Sequence, residues 1–334
     1  MIRVAINGFG RIGRNTFKAG FGRADLKNIE WVAVNDLTEP ANLAYLLKHD
    51  SVYGDYDKKV SHNDKHIIVN GKKILVFAEK DPAKLPWKKL KIDVVLECTG
   101  IFRDKESAGA HLKAGAKKVI ISAPAKGEGI NTYLLGVNEK DYDPKEKIID
   151  NASCTTNCVA PVAKVMCDAF GVEKALMSTV HGYTANQRLV DAPSKDFRRG
   201  RAAAVNIIPT TTGAAIATTK VIPGLKDRFD GISIRVPIIS GSISDFTFML
   251  KKDVTVDKVN NAFKKAARGA MKGILDVTEE PLASTDILGS PLSAIVDLAF
   301  TKVIDGNLVK VLAWYDNEWG YSNRLIEMVK EIQK

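Results

Sequence analysis

At 334 residues, 45 % hydrophobic and 26 % charged, the chain exceeds the size at which one core keeps growing, and its composition is that of ordinary globular domains, so two domains are expected. No apolar run approaches bilayer length, and the start of the chain reads as a short strand without the longer apolar stretch of a signal peptide, which argues against a membrane protein and for a cytoplasmic one. The formal net charge of +10 is spread over short groups such as Lys58-Lys59, Lys88-Lys89 and Lys117-Lys118, a solvated surface that argues against nucleic acid as the primary partner.

In chain order, β-branched runs at residues 3–7, 31–35, 94–97, 118–122 and 147–150 read as strands, with helical patterns at 11–19 and 105–114 between them. That alternation predicts βαβ units and a mostly parallel sheet. Residues 66–77 differ, because two apolar runs flank Asn70-Gly71, a hairpin signal that adds antiparallel strands to the same domain. After Asn151 the texture changes. Alternating runs at 176–180, 231–237, 242–250 and 308–315, with a helix over 256–271, predict a largely antiparallel sheet in an α+β domain. Residues 183–206 carry Arg188, Arg198, Arg199 and Arg201 with weak periodicity, and read as one long irregular loop of the kind that serves function. The chain ends in an amphipathic helix, with Leu325, Met328, Val329 and Ile332 on one face and Ser322 or Asn323 as its cap.

Gly8-Phe9-Gly10-Arg11-Ile12-Gly13 fits a dinucleotide fingerprint, and its context carries the reading: a strand before it, a helix after it and Asp36 at the end of the second strand. Gly8 makes the tight turn, Gly10 admits the pyrophosphate to the backbone, and Gly13 lets helix pack on strand. Asp36 would accept hydrogen bonds from ribose hydroxyls and repel a 2′-phosphate, which favours NAD over NADP.

The four cysteines, Cys98, Cys154, Cys158 and Cys167, suit free thiols in a reducing compartment. Cys154 follows a strand and opens a helix (residues 159–170 continue it, with a kink expected near Pro161), where the dipole stabilises a thiolate. Cys158 lies one turn on and reads as packed; two cysteines without further ligands nearby make no metal site. Cys98 and Cys167 sit in apolar surroundings and read as inert. Among the histidines, His181 ends an apolar run and begins the irregular loop, a position that displays catalytic groups, whereas His49, His62, His66 and His111 have polar, lysine-rich neighbours.

Six segments in order resemble the phosphorylating, NAD-dependent glyceraldehyde-3-phosphate dehydrogenase family: residues 7–14, 152–158 (Ala-Ser-Cys-Thr-Thr-Asn-Cys), 181–184 (His-Gly-Tyr-Thr), 209–215, 235–237 and 314–324. The resemblance covers essentially the whole chain. It implies a Rossmann-type domain over 1–153, completed by a C-terminal helix over 318–334, and a catalytic domain over 154–317. It implies that Cys154, with His181 as base, forms a thiohemiacetal and then a thioester of glyceraldehyde 3-phosphate, which inorganic phosphate releases as 1,3-bisphosphoglycerate. Thr184 and Arg235 would bind the substrate phosphate, and Ser153, Thr155, Thr212, Gly213 and Arg199 the attacking phosphate. Arg11 and Ile12 would lie on the pyrophosphate turn, Thr99 and Ser122 would line the cofactor pocket, and Asn317 would hold the nicotinamide carboxamide. No metal is implied, and the family's homotetramers imply the same assembly here.

Three departures stand out: Gly182 in place of the usual serine or alanine, Ile216 in place of a common lysine, and an altered segment, Ile238-Ile239-Ser240-Gly241, after Pro237. Erythrose-4-phosphate dehydrogenases share the turn and the cysteine motif but usually lack Tyr-Thr after the histidine and the Thr-Thr-Thr-Gly-Ala run. A non-catalytic dinucleotide- or RNA-binding relative is disfavoured by intact Cys154, His181, Arg199 and Arg235.

Overall fold

The alternation in the first half of the chain becomes a nine-stranded sheet in the computed structural model, which describes residues 1–333. Its strands are β1 (Ile2–Asn7), β2 (Ile29–Asn35), β3 (Val60–Asn63), β4 (His66–Val69), β5 (Lys72–Phe77), β6 (Val94–Glu97), β7 (Lys118–Ile121), β8 (Asn131–Thr132) and β9 (Ile148–Asp150). They lie in the order β3-β4-β5-β2-β1-β6-β7-β9-β8. Pairings from β5 to β8 are parallel, and β3–β4 and β4–β5 are antiparallel. The hairpin turns as Asn-Gly predicts, with Asn70 (φ 48°) and Gly71 (φ 80°) both left-handed. The order reverses between β1 and β6, the switch point where open parallel sheets bind ligands beyond their strand ends.

Helices α1 (Arg11–Gly20), α2 (Pro40–Lys48), α3 (Lys105–Ala108) and α4 (Ala110–Lys113) belong to this unit. The helix expected over 105–114 is two pieces, because Gly109 (ψ −17°) tightens the chain between them. Asp104 caps α3 through Ser107 in a reciprocal box.

The second sheet has seven strands, β10 (Val172–Gly182), β11 (Ile208–Thr211), β12 (Phe229–Val236), β13 (Ser242–Leu250), β14 (Leu275–Thr278), β15 (Ala294–Ile304) and β16 (Leu308–Tyr315), ordered β11-β12-β10-β13-β16-β15-β14. Four of its pairings are antiparallel, and β10–β12 and β14–β15 are parallel. Helices α5 (Cys154–Phe170), α6 (Ala214–Val221) and α7 (Val256–Arg268) accompany it, followed by α8 (Trp319–Glu331). Burial along β13 alternates strictly, as the period of a strand requires, and Phe246 and Phe248 share a core with Cys158, Val162 and Met166 of α5. α5 runs through Pro161, which lacks the N–H for one helical bond. Residues 183–206 hold only two single-turn 3-10 pieces and an isolated bridge between Arg188 and Ala202.

The cap of α8 differs from expectation. Asp316 Oδ1 accepts from the N–H groups of Glu318 and Trp319, so the helix starts ahead of Ser322 and Asn323, which lie inside it. The carboxylate satisfies two first-turn donors and faces the positive helix end, which outweighs a hydroxyl further along. Lys334, the last residue of the predicted helix, lies outside the described residues.

The chain divides into two compact units. One comprises 1–134, 138–152 and the segment from Ser322 onward; the other comprises 135–137 and 153–321.

Candidate functional site

In the first unit the glycine turn is dictated by contact. Gly8 has φ +89°, and a Cβ there would lie 2.7 Å from the Thr99 nitrogen; a Cβ on Gly13 would lie 2.2 Å from the Gly8 carbonyl oxygen. Gly10, which precedes the first residue of α1, faces open space, with nothing within 4 Å of its would-be Cβ. The turn is therefore packed at two glycines and vacant at the third, as a site for approach to backbone requires. Arg11 and Ile12 open α1, and Arg11 Nη1 donates to Asp50 Oδ1 at 2.9 Å. Asp36 Oδ2 accepts from the N–H of Phe9 at 2.8 Å, so this carboxylate also holds the turn. Thr99 and Ser122 follow the ends of β6 and β7, and the Ser122 N–H donates to the Glu97 carbonyl.

The second unit gathers Cys154, His181 and Arg235. Asp150 ends β9, and the chain enters α5 after Ala152 (φ 51°), a left-handed conformation costing a non-glycine residue about 1–2 kcal/mol. Ser153 caps α5, its Oγ accepting from the Thr156 N–H at 3.1 Å, which leaves Cys154 as the first helical residue. The half-buried Cys154 Sγ lies 3.5 Å from His181 Nε2. His181 and Arg235 are neighbours in the parallel register of β10 and β12. His181 Nδ1 lies 2.6 Å from the Gly182 carbonyl oxygen, and Nε2 faces the sulfur, where it is placed to take up a proton. The Arg235 guanidinium touches the same Nδ1 and reaches the Gly182 oxygen at 3.3 Å.

Burial, with the charge of Arg235 added, pushes the imidazole down to about 3. Burial also pushes the Cys154 thiol up, against the pull of Arg235, the Thr155 hydroxyl and the amides of Thr155 and Cys154. The lowered thiol expected from the helix end alone is thus opposed by desolvation. Passing the proton from Sγ to Nε2 creates opposite charges side by side, which offsets part of the desolvation cost on each. The other thiols have no such partner. Burial pushes Cys98 up to about 12, Cys167 up to about 11, and Cys158 further still.

The remaining predicted residues form neighbouring groups. Arg199 Nε donates to Thr210 Oγ1 at 2.7 Å, and Nη2 to Thr211 Oγ1 at 3.2 Å. Thr212 and Gly213 precede α6, where the Thr212 hydroxyl accepts from the Ala214 N–H and Gly213 is open. Thr184 is tied locally to Gln187, its N–H and hydroxyl both donating to Oε1. Among the described residues no hydrogen bond joins Thr184 or Arg199 to Cys154. Thr155 is buried and its hydroxyl is engaged with Tyr315 at 3.0 Å. Asn317 Oδ1 accepts from Ser242 Oγ at 2.8 Å and the Gly241 N–H at 3.1 Å, which turns its Nδ2 outward from that cage.

Several functional neighbours escaped the sequence reading. Tyr315 bridges Thr155 and Thr179 and packs edge-on against His181. Asp50 anchors both Arg11 and Lys18. His111, whose neighbours in the chain are polar and lysine-rich, is wholly buried beside Glu97 and Trp87. Two of the departures meet in space. A Cβ at Gly182 would lie 3.0 Å from the Ile238 carbonyl oxygen and 3.1 Å from that of Ile239, so the altered segment closes onto the backbone that holds His181. Among the described residues no group of three or more His, Cys, Asp or Glu side chains is placed to hold a metal, and no helix is long and apolar enough to cross a membrane.

Residues 2–105 match the family described as glyceraldehyde 3-phosphate dehydrogenase, NAD binding domain, and residues 153–317 match its C-terminal domain. The chain is 56 % identical to glyceraldehyde-3-phosphate dehydrogenase 2 of Streptomyces avermitilis over 328 residues, covering 98 % of this chain and 97 % of that one. It is 54 % identical to glyceraldehyde-3-phosphate dehydrogenase of Geobacillus stearothermophilus (99 % and 98 % covered) and 53 % identical to that of Thermotoga maritima (100 % of both).

Proposed function

The chain belongs to the glyceraldehyde-3-phosphate dehydrogenase family, and we infer from this that it oxidises glyceraldehyde 3-phosphate with NAD and inorganic phosphate to 1,3-bisphosphoglycerate. The observation that carries the chemistry is the Cys154 sulfur at the start of α5, 3.5 Å from His181 Nε2.

The dinucleotide fits the first unit, since Gly8 and Gly13 are positions no side chain can occupy and Gly10 leaves the backbone open where α1 begins. NAD supplies the hydride acceptor when bound. Cys154 Sγ attacks the aldehyde carbon as its proton passes to His181 Nε2, and the new oxyanion is stabilised by the first-turn N–H of Cys154 and by the imidazolium. The imidazolium returns its proton to that oxygen to give the thiohemiacetal, and His181 takes it up again as hydride leaves the carbon, which makes the thioester. A phosphate oxygen attacks that carbonyl, the C–S bond breaks, and the thiol returns with the acyl phosphate released. Arg235, beside His181, serves the substrate's phosphate with Thr184, and Arg199 with Ser153, Thr155, Thr212 and Gly213 serves the attacking phosphate; guanidinium forks and hydroxyls match tetrahedral oxyanions. Asn317, with Oδ1 held by Ser242 and Gly241, offers Nδ2 to the carboxamide oxygen. Asp36 takes the ribose hydroxyls.

The assembly proposed is a homotetramer in the cytoplasm. It is supported by the family membership and by the apolar side chains that the arginine-bearing loop exposes, among them Leu189 (87 %) and Phe197 (88 %), which an interface would cover.

Protein mixed with NAD, glyceraldehyde 3-phosphate and phosphate should raise NADH absorbance, and omission of phosphate should stop turnover after the first acylation. Turnover indifferent to phosphate, or faster turnover of erythrose 4-phosphate, would overturn the assignment. Cys154→Ser should lower kcat by roughly 10⁴-fold or more while NAD binding persists.

A further inference from the structure

Beneath the glycine turn lies a buried polar chain that the reaction above does not use. Glu97, the last residue of β6, is 1 % exposed, and among the described residues no lysine or arginine pairs with it. Four hydrogens converge on its carboxylate instead. Oε1 accepts from the Thr99 N–H at 2.8 Å and from the Thr99 hydroxyl; Oε2 accepts from Asn7 Nδ2 at 2.6 Å and from His111 Nε2 at 3.0 Å. The chain extends both ways. Trp87 Nε1, which can only donate, gives its proton to His111 Nδ1 at 3.0 Å, which places the histidine's own proton on Nε2, facing Glu97. Asn7 Oδ1 accepts from Asn35 Nδ2 at 2.7 Å, and Asn35 is held by the backbone of Glu79 on both its amide atoms.

A buried carboxylate is a costly way to join three strands, and apolar side chains of equal volume would hold them at less expense. What this one fixes is specific. Asn7 precedes Gly8, Thr99 is the residue whose backbone touches the Gly8 turn, and Asn35 precedes Asp36. All three lie at the ends of β2, β1 and β6, at and beside the switch point.

We propose that Glu97, oriented by His111 and Trp87, is a positioning residue for the dinucleotide: it sets Asn7 and Thr99, and through them the Gly8 turn, in the geometry that accepts NAD. This rests on the reading of the first unit as the NAD site. Because every neighbour donates, Glu97→Gln must set its amide NH₂ against a donor, either at Thr99 or at Asn7 and His111, whatever way it is turned.

The test compares Glu97→Gln and Trp87→Phe with the parent enzyme. The readouts are the Kd for NAD by titration calorimetry, KM for NAD, kcat, and the rate of Cys154 alkylation by iodoacetamide in the absence of NAD. Glu97→Gln is expected to raise both NAD constants about tenfold, with kcat at saturating NAD and the alkylation rate within twofold of the parent; Trp87→Phe, remote from the turn, is expected to raise them two- to threefold. An NAD affinity within twofold of the parent in folded Glu97→Gln overturns the proposal. So does a fall of kcat and alkylation in step with NAD affinity, which is general loosening. If Glu97→Gln does not fold, Trp87→Phe decides, and an unchanged Kd there overturns it. A parent that reduces no NAD would instead refute the proposed function, separately from this inference.

Discussion

The two units treat buried polar groups in opposite ways. The cofactor cradle of the first is made by shape: glycines where no Cβ fits, and a carboxylate satisfied by uncharged donors. The proposed reaction centre of the second is made by charge, with the Arg235 guanidinium against a buried imidazole and a thiol that burial and cation pull in opposite directions. Shape suits a ligand that must be admitted and released intact. Charge suits a site where proton and oxyanion change places within each cycle. The contrast implies that perturbing the first unit moves NAD constants, and perturbing the second moves rates and titrations.

The largest effect should come from Arg235→Gln. Loss of a charge-assisted contact to the substrate phosphate should lower kcat/KM for glyceraldehyde 3-phosphate by roughly 10²–10³-fold, with the NAD Kd little changed. Removing the cation should also raise both the Cys154 thiol and His181, so the pH midpoint of Cys154 alkylation moves up. A downward shift would break the comparison, since it would mean Arg235 does not govern the centre.

Within the cradle, Gly13→Ala and Gly10→Ala separate packing from access. The first drives a Cβ into the Gly8 carbonyl and should cost about 1–3 kcal/mol, a Tm loss of several degrees in the NAD-free protein. The second meets nothing, so its NAD-free Tm should stay within about 2 °C while NAD affinity falls. Equal Tm losses would show that the turn is merely structural.

His181 links the charged centre to acid stability. Its folded value, about 3, lies below the ordinary 6.5, so below pH 6.5 the unfolded chain takes up a proton that the folded one refuses. The stability it contributes is present above pH 6.5 and is lost as pH falls toward 3. Between pH 6.5 and 5 the parent should lose about 2 kcal/mol of unfolding free energy more than His181→Gln. Denaturant titrations at the two pH values measure the difference, and equal losses would place His181 outside a desolvated site. The smallest effect concerns Asp36→Asn, which should weaken NAD about tenfold and narrow the preference over NADP, because the same carboxylate also braces the Phe9 N–H. Kinetics with both cofactors side by side would show it.

Much of this was legible locally. Strand and helix periods, the Asn70-Gly71 turn, the glycine fingerprint and the position of Cys154 at a helix start are short-range signals, each written within a few consecutive residues. His111 was not, because its lysine-rich neighbours in the chain say nothing of the Trp87 and Glu97 side chains it meets, 24 and 14 residues away. The α8 cap was missed for a related reason: an aspartate three residues before Trp319, where the helix begins, competes with the later Ser322 and Asn323, and only geometry ranks them.

The sequence by itself determined the two kinds of sheet, the glycine turn, a cysteine at a helix start and the family, since these depend on residue type at fixed spacing. Tertiary structure alone decided that Arg235 lies against His181, that burial opposes the helix end at Cys154, and that Gly182 lies against the backbone of Ile238 and Ile239. Each is a contact between residues far apart in the chain, and desolvation, register and close approach exist only once the strands are paired.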